Sequence, residues 1–410
     1  MNIIVQKYGG TSLADTARIR KAAARLVKER ERGRDVVAVL SAMGNTTDEL
    51  IAKAHVLSPH PSARELDMLI TTGEQESVAL MAIALHAMNC KAISLVAPQV
   101  GIYTDGLHTK AKIIEIKTDR IIQALQESHI VLIAGFQGIN RNMEYTTLGR
   151  GGSDTSAVAL AVKLKAKKCE ILTDVEGVYT ADPRLVPGAQ KIPAISYDEM
   201  LELASLGAGV MHSRSIELAK KHNLEIHVRS SFSDNSGTLI KAEEAAMEEI
   251  LVRGAALDTT EAKVTIKQVP DTPGMVAKIF SILAEHNINV DMIIQNIGTE
   301  GFADVSFTVS KNDIDEVKKL SEGIIRDTGV RTIEYDTGIA KVSVVGIGMR
   351  SHCGIAETMF SVFGKAGINI QMISTSEIKI SCVIEEEYGE EALRLVHDAF
   401  KLGDKGSADE

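Results

Sequence analysis

Over its first 230 residues the chain alternates between short, almost unbroken apolar runs and longer segments of helical period. The runs are Ile3–Val5, Val36–Leu40, Ile93–Val96, Ile130–Ala134, Cys169–Leu172 and Ile226–Val228. A strand that is apolar at successive positions has both faces buried, as strands of parallel sheets do. Between the runs, Ile19, Ala23, Leu26 and Val27 share one face of a helix expected near residues 15–32. Ala157, Leu160, Ala161 and Leu164 do the same over 153–167. This alternation predicts an α/β sandwich with a largely parallel sheet. At 410 residues the chain is long enough for further domains.

The pattern changes at residues 233–249. Ser233-Asp234-Asn235-Ser236-Gly237 is a turn cluster, and Ala242 to Glu249 is a polar Ala/Glu segment. A domain boundary falls here. Beyond it lies an internal repeat. Residues 273–281 match 353–361, Ile288-Asn289 matches Ile368-Asn369, and Met292-Ile293 matches Met372-Ile373, with seven identities at a spacing of 80. Upstream, Lys263–Ile266 pairs with Lys341–Val344, so the strand-to-helix loop differs by two residues. Two copies argue for a duplicated module and against a solenoid, which needs at least three.

Composition removes several functions. The net charge is −10, aromatic residues are 4% and Trp is absent. A net acidic charge argues against non-specific nucleic-acid binding, which needs a basic face, and few aromatic rings argue against base-stacking platforms. Cys90, Cys169, Cys353 and Cys382 are scattered, so reduced, mostly interior thiols are expected. The histidines show no zinc-site spacing, and no metal site is read. The N-terminus lacks signal-peptide features, and the apolar runs are far below the ~20 residues that span a bilayer. A cytoplasmic protein without a membrane partner is the expectation.

Five segments carry candidate chemistry. Lys7-Tyr8-Gly9-Gly10-Thr11-Ser12 follows the first strand. Its glycines let backbone N–H groups approach phosphate oxygens, and Lys7 adds a mobile charge. A plain Gly-Gly turn is the alternative. Gly149-Arg150-Gly151-Gly152-Ser153-Asp154-Thr155 opens the 153–167 helix. Ser153 or Asp154 can cap it, but an Arg between glycines at a helix start also suits carboxylate or phosphate capture. Thr173 to Arg184 follows a strand, where ligands bind in α/β sheets; a surface loop is the alternative. In Thr71-Thr72-Gly73-Glu74 the Glu suits a helix start. In Ser41 to Thr47, Thr46 or Thr47 is expected to cap the next helix, and the hydroxyls can meet a substrate. His212 and His227 read as structural.

Taken together and in order, Lys7 to Ser12, Ser41 to Gly44, Thr72-Gly73-Glu74, Gly149 to Asp154 and Thr173 to Arg184 resemble the aspartate kinases of the amino-acid kinase family. The repeated segments resemble ACT domains, small βαββαβ modules that bind amino acids at their interfaces. The resemblance implies a three-layer kinase sandwich over residues 1–245 and a first ACT domain over 264–340. That domain is inserted in a second one, 246–263 plus 341–402, and 403–410 is a tail. It also implies transfer of the ATP γ-phosphoryl, with Mg²⁺, to the side-chain carboxylate of L-aspartate, giving 4-phospho-L-aspartate on the route to lysine, threonine and methionine.

By the same resemblance, Lys7 and the amides of Gly9 and Gly10, with Thr11, serve the phosphoryl group. Arg150 clamps the α-carboxylate, Glu74 and Asp154 hold the ammonium, and Ser41, Thr47 and Ser153 orient the substrate. Thr173, Asp174, Tyr179, Asp182 and Arg184 bind ATP, with Gly209 and Val210 near adenine. Lysine, threonine or both would act as effectors through Asp271, Gly274, Asp291, Gln295, Asn369, Ile370, Ser376 and Glu377. A homo-oligomer through the ACT domains, or assembly with a regulatory subunit starting near Met247, is also implied. There are departures. Tyr8 stands where many relatives carry Phe, Gly209 where many carry Lys, and Met211-His212-Ser213-Arg214 where a His-Pro pattern is common. Other amino-acid kinases, or an inactive amino-acid sensor, are the competing readings.

Overall fold

The computed structural model describes residues 1–206, 210–243, 252–297, 301–349 and 354–404. The chain divides into two compact units. One holds Met1–Tyr179 and Lys191–Met247; the other holds Thr180–Gln190 and Glu248–Glu410.

In the first unit all six apolar runs become strands of one eight-stranded sheet. Its order is Ala194–Ser196, Thr238–Lys241, Ile226–Ser230, Cys169–Thr173, Ile3–Tyr8, Asp35–Leu40, Ile130–Ala134 and Ala92–Leu95. The six strands grown from those runs pair in parallel, while Thr238–Lys241 runs antiparallel to Ile226–Ser230. The short strands Ala194–Ser196 and Thr238–Lys241, and those of a separate four-stranded sheet over residues 102–147, are too short to show a period in sequence. On one face, Ile19, Ala23 and Leu26 of the helix Thr16–Glu31 and Val78, Met81 and Leu85 of the helix Thr72–Ala87 pack on Ile4, Ala38 and Leu132. The expected helix near 153 spans Gly152–Lys163.

The second unit contains two four-stranded antiparallel sheets, each with two helices. One sheet is ordered Val290–Ile297, Phe302–Ser310, Glu261–Pro270, Thr332–Asp336. The other is ordered Gly254–Asp258, Ile339–Val345, Lys379–Glu385, Met372–Thr375. The later module therefore takes an edge strand from sequence that precedes the earlier one. The repeat has a conformational cause at its most visible identity. Gly274 and Gly354 are the N-caps of equivalent helices, with φ of 89° and 104°, a region that L side chains avoid. Ala181 and Val186, in the excursion from the first unit's sequence, are buried in the later module's core with Val342, Phe363 and Leu393. Cys169 and Cys382 are buried free thiols and Cys90 is half-buried; Cys353 lies outside the described residues.

Candidate active site

Strands Ile3–Tyr8, Asp35–Leu40, Ile130–Ala134, Cys169–Thr173 and Ile226–Ser230 run in one direction, so the loops after them gather at one edge of the sheet. All five candidate segments begin there or pack onto those that do. Backbone bonds tie them together. Ser41 N–H donates to Tyr8 O (3.1 Å), Gly44 N–H to Gly10 O (3.0 Å) and Gly9 N–H to Leu172 O (3.1 Å). The last bond changes the expected phosphate cradle. The Gly9 amide is already used within the sheet edge, which leaves Gly10 of the pair as the donor. Gly10 is required for another reason too: a Cβ there would lie 2.9 Å from Ala42 O.

Lys7 and Gly9 lie on one face of the strand by its period of two. The Lys7 ammonium sits 2.7 Å from Asp154 Oδ1, and both side chains are largely buried. Asp154 comes from the first turn of the helix Gly152–Lys163. That helix has Gly151 as its N-cap, at φ 66° and without a side-chain cap bond. Neither Ser153 nor Asp154 is spent on capping; Gly152 N–H donates to Gly149 O (3.0 Å), which leaves the Ser153 and Asp154 amides of the first turn for a ligand. Ser153 packs over Gly135, where a Cβ would lie 2.8 Å from Ser153 Oγ. The neighbouring Phe136 has a φ of 67°, an uncommon value for an aromatic residue. Arg150 is exposed on the loop before the helix.

Glu74 is not a solvated helix-start residue. It is 2% exposed in the first turn of Thr72–Ala87, because Gly73 lets that helix close onto Ala42. Its Oε1 accepts from Ala42 N–H (3.2 Å), while its Oε2 is buried with no hydrogen-bond partner among the described residues. Burial pushes its pKa up to about 8. An unpaired buried carboxylate oxygen is costly unless a ligand cation meets it. Thr46 and Thr47 do not cap the next helix: Asn45 is the N-cap, and Thr46 Oγ1 donates instead to Met43 O (2.7 Å). Thr47 is half-buried in its first turn.

The Thr173–Arg184 segment is divided between the units. Thr173, Asp174 and Tyr179 stay in the first, and Thr173 Oγ1 donates to Asp174 Oδ1 (3.0 Å). Asp182 and Arg184 belong to the second. There the Arg184 guanidinium forks onto the Asp182 carboxylate, with Nη2 to Oδ2 at 2.6 Å, and holds its pKa below the usual carboxylate value. Val210 is half-buried, and Gly209 lies outside the described residues. Sequence reasoning missed Ser231 and Phe232 at the end of Ile226–Ser230. Ser12 Oγ donates to Ser231 Oγ (2.8 Å), and the Arg18 guanidinium lies 5.2 Å from the Phe232 ring centroid. The rule that ligands meet the carboxyl ends of parallel strands would have pointed to them. His212 is an N-cap, as a structural histidine is expected to be.

Among the expected effector residues, Asp271, Gly274, Gln295, Asn369, Ser376 and Glu377 are exposed, and Ile370 is half-buried. Asp291 is engaged: its Oδ2 lies 2.6 Å from Lys341 Nζ, which also meets Glu261 (2.7 Å) and Asp258 (3.5 Å). Lys341 is 2% exposed and ties the two modules together. Burial opposes its charge, but the surrounding carboxylates outweigh burial and raise its pKa.

A nucleotide-type sheet edge carrying a lysine, a buried carboxylate pair and a glycine-flanked arginine defines a small-molecule kinase. The comparisons agree. The model of the amino acid kinase family matches residues 2–230, and ACT domain models match 264–322 and 342–400. Aspartokinase of Geobacillus stearothermophilus is 49% identical over 408 residues, 100% of this chain and 99% of the relative. Aspartate kinase of Pseudomonas putida is 48% identical, covering 98% of both chains. The crystal structure of E. coli aspartokinase III with aspartate and ADP superposes with a TM-score of 0.81 at 26% identity, over 97% of this chain and 99% of that one. The chain belongs to the amino acid kinase family, as an ATP-dependent aspartate kinase with two ACT domains. Among the described residues, no helix is long and apolar enough to cross a membrane.

Proposed function

We propose that the chain transfers the γ-phosphoryl group of ATP, supplied as its Mg²⁺ complex, to the side-chain carboxylate of L-aspartate, releasing ADP and 4-phospho-L-aspartate. The observation that carries this reading is the Lys7–Asp154 ion pair. It joins the Gly9-Gly10 turn to the helix start that follows Arg150. A carboxylate is already ionised at neutral pH, so the reaction needs no general base. It needs alignment and cancellation of charge on the moving phosphoryl. Lys7 and the Gly10 amide supply that charge, with Asp154 orienting Lys7. Arg150 takes the α-carboxylate as a bidentate pair. Glu74 Oε2 takes the ammonium, and Ser41, Thr47 and Ser153 orient the acceptor. Thr173, Asp174 and Tyr179 serve the nucleotide, together with Thr11, Asp182, Arg184, Gly209 and Val210.

We further propose that the enzyme is cytoplasmic, opens the route to lysine, threonine and methionine, and is inhibited by lysine, threonine or both through its ACT domains. A solved complex of E. coli aspartokinase III with lysine and aspartate, at a TM-score of 0.75 and 26% identity, supports this. Assembly runs through the ACT domains, with itself or with a subunit started at Met247, a position outside the described residues. Replacing Met247 with Leu should abolish any short product.

The decisive test is hydroxylamine trapping with Mg-ATP and L-aspartate beside L-glutamate. An aspartyl hydroxamate that requires ATP, and that Arg150→Ala does not form, supports the assignment. Absence of any hydroxamate from folded protein favours a sensor role for the ACT pair.

A further inference from the structure

Arg150 sits between two glycines in left-handed conformations, Gly149 at φ 79° and Gly151 at φ 66°. A loop built this way has no side-chain packing of its own to hold it, so its position must come from neighbours. Two neighbours approach it closely, tightly at Gly149 and too closely for any Cβ at Gly151. At Gly149 a Cβ would lie 3.1 Å from Thr109 O, and at Gly151 it would lie 2.2 Å from His212 Cβ. His212 is the N-cap of the helix Ser213–His222, and Arg214 is in that helix's first turn.

Arg214 donates from Nη1 to Leu148 O (2.9 Å) and from Nη2 to Ala111 O (2.8 Å). Leu148 directly precedes Gly149. Ala111 belongs to the 105–112 loop that abuts it, and Ala111 N–H donates to Thr147 O (2.9 Å). Among the described residues Arg214 has no ion pair, and burial pushes its pKa down. Asp105 and Glu217 attract the half-buried guanidinium through space, but its side-chain hydrogen bonds go to the two backbone carbonyls. A forked donor suits this place, because it spans two carbonyls at once.

The same two segments are also held by an anion. Asp67 is fully buried, accepts from Thr147 Oγ1 (2.6 Å) and Thr109 N–H (3.0 Å), and meets His108 Nδ1 (2.8 Å). One cation and one anion thus hold the base of the Arg150 loop, each bonding to both the 105–112 loop and the strand end before Gly149.

We propose that Arg214 is a positioning residue for aspartate binding: it bridges the Leu148 and Ala111 carbonyls and so fixes the loop that presents Arg150 to the substrate α-carboxylate. This rests on the reading of Arg150 given above. The proposal separates effects by substrate. Loosening the Arg150 loop weakens the hold on aspartate, while Lys7 and the Thr173–Asp174 edge, which serve the nucleotide, are not bonded to Arg214.

The test is steady-state kinetics of the full-length enzyme with Arg214→Gln and Arg214→Lys. We expect the KM for L-aspartate to rise by about 10- to 100-fold in Arg214→Gln, the scale of a misplaced binding group, with the KM for ATP and kcat within about twofold of wild type. Arg214→Lys keeps the charge but reaches one carbonyl at a time, and falls between. Guanidinium ion at low millimolar concentration should lower the aspartate KM of Arg214→Ala and leave that of Arg150→Lys unchanged. A lowered melting temperature with an unchanged aspartate KM would mean a merely structural Arg and would overturn the proposal. If Arg214→Gln does not fold, a wild-type aspartate KM in Arg214→Lys overturns it equally. Wild-type enzyme that forms no aspartyl hydroxamate takes down the substrate reading and this proposal with it. Active wild type with unaffected variants takes down this proposal alone.

Discussion

Lys7 Nζ and Asp154 Oδ1 are 2.7 Å apart, one from the first strand and the other from the first turn of the helix after the Arg150 loop. The two charges offset each other next to Gly9, where an added Cβ would lie 3.6 Å from Lys7 Nζ. Lys7→Met should lower kcat by about 10²- to 10³-fold, the usual effect of removing one charge-stabilising donor from a reaction centre. Asp154→Asn should act in the same direction by releasing Lys7. Circular dichroism and the KM for ATP decide whether the loss is chemical. A kcat within a few-fold of wild type in Lys7→Met would remove Lys7 from the mechanism.

Glu74 gives a pH signature. Its folded pKa of about 8 lies above its ordinary value of 4.5, because burial disfavours the charged form. The folded protein therefore holds a proton that the unfolded chain releases between those values. The stability this group contributes is full below about pH 4.5 and is lost as pH rises towards 8. In Glu74→Gln that contribution does not titrate. The melting temperature of the ligand-free wild type should fall relative to Glu74→Gln between pH 5 and 8. Aspartate should bind with proton release, measured as buffer-dependent heat in calorimetry. Parallel melting profiles for the two proteins would contradict the buried neutral carboxyl.

Lys341 is a stability residue. Its ammonium serves Asp258, Glu261 and Asp291 at 2% exposure. Lys341→Met strands three carboxylates, so a loss of about 3–5 kcal/mol is expected for the module pair. Denaturant titration should show an early transition from residues 248–404, before the kinase unit melts. A single transition at the wild-type midpoint would show that the cluster contributes little.

Gly10 should tolerate no side chain. In Gly10→Ala the new methyl meets Ala42 O at 2.9 Å and Gly44 O at 3.0 Å, both backbone atoms that cannot rotate away. The loops after the first two strands must part, which should cost about 1–3 kcal/mol as overpacking and most of the activity. The same change at Gly188 meets nothing within 4 Å and should be silent in the hydroxamate assay and in melting.

Local sequence determined much of this protein. Unbroken apolar runs such as Val36–Leu40 can be satisfied only with both faces covered, so the parallel sheet was legible. The repeat at Gly274 and Gly354 was legible because both copies need a left-handed N-cap. The five candidate segments were visible because each pairs glycine with charged or hydroxyl side chains at the end or start of an element. Other features depend on partners far away in sequence. Nothing near Glu74 says that Gly73 lets its helix close on Ala42 and bury the carboxylate. Nothing near Gly9 says that its amide is spent on Leu172. The Thr173–Arg184 segment reads as one loop, yet Ala181 and Val186 find their apolar neighbours in the second unit and take Asp182 and Arg184 with them. Nothing near Arg214 says that Leu148 and Ala111 are folded against it. Period and turn chemistry act over a few residues and are written in the chain. Burial, hydrogen-bond satisfaction and ion pairing are set by which segments the tertiary fold makes neighbours, and only the structure decides those.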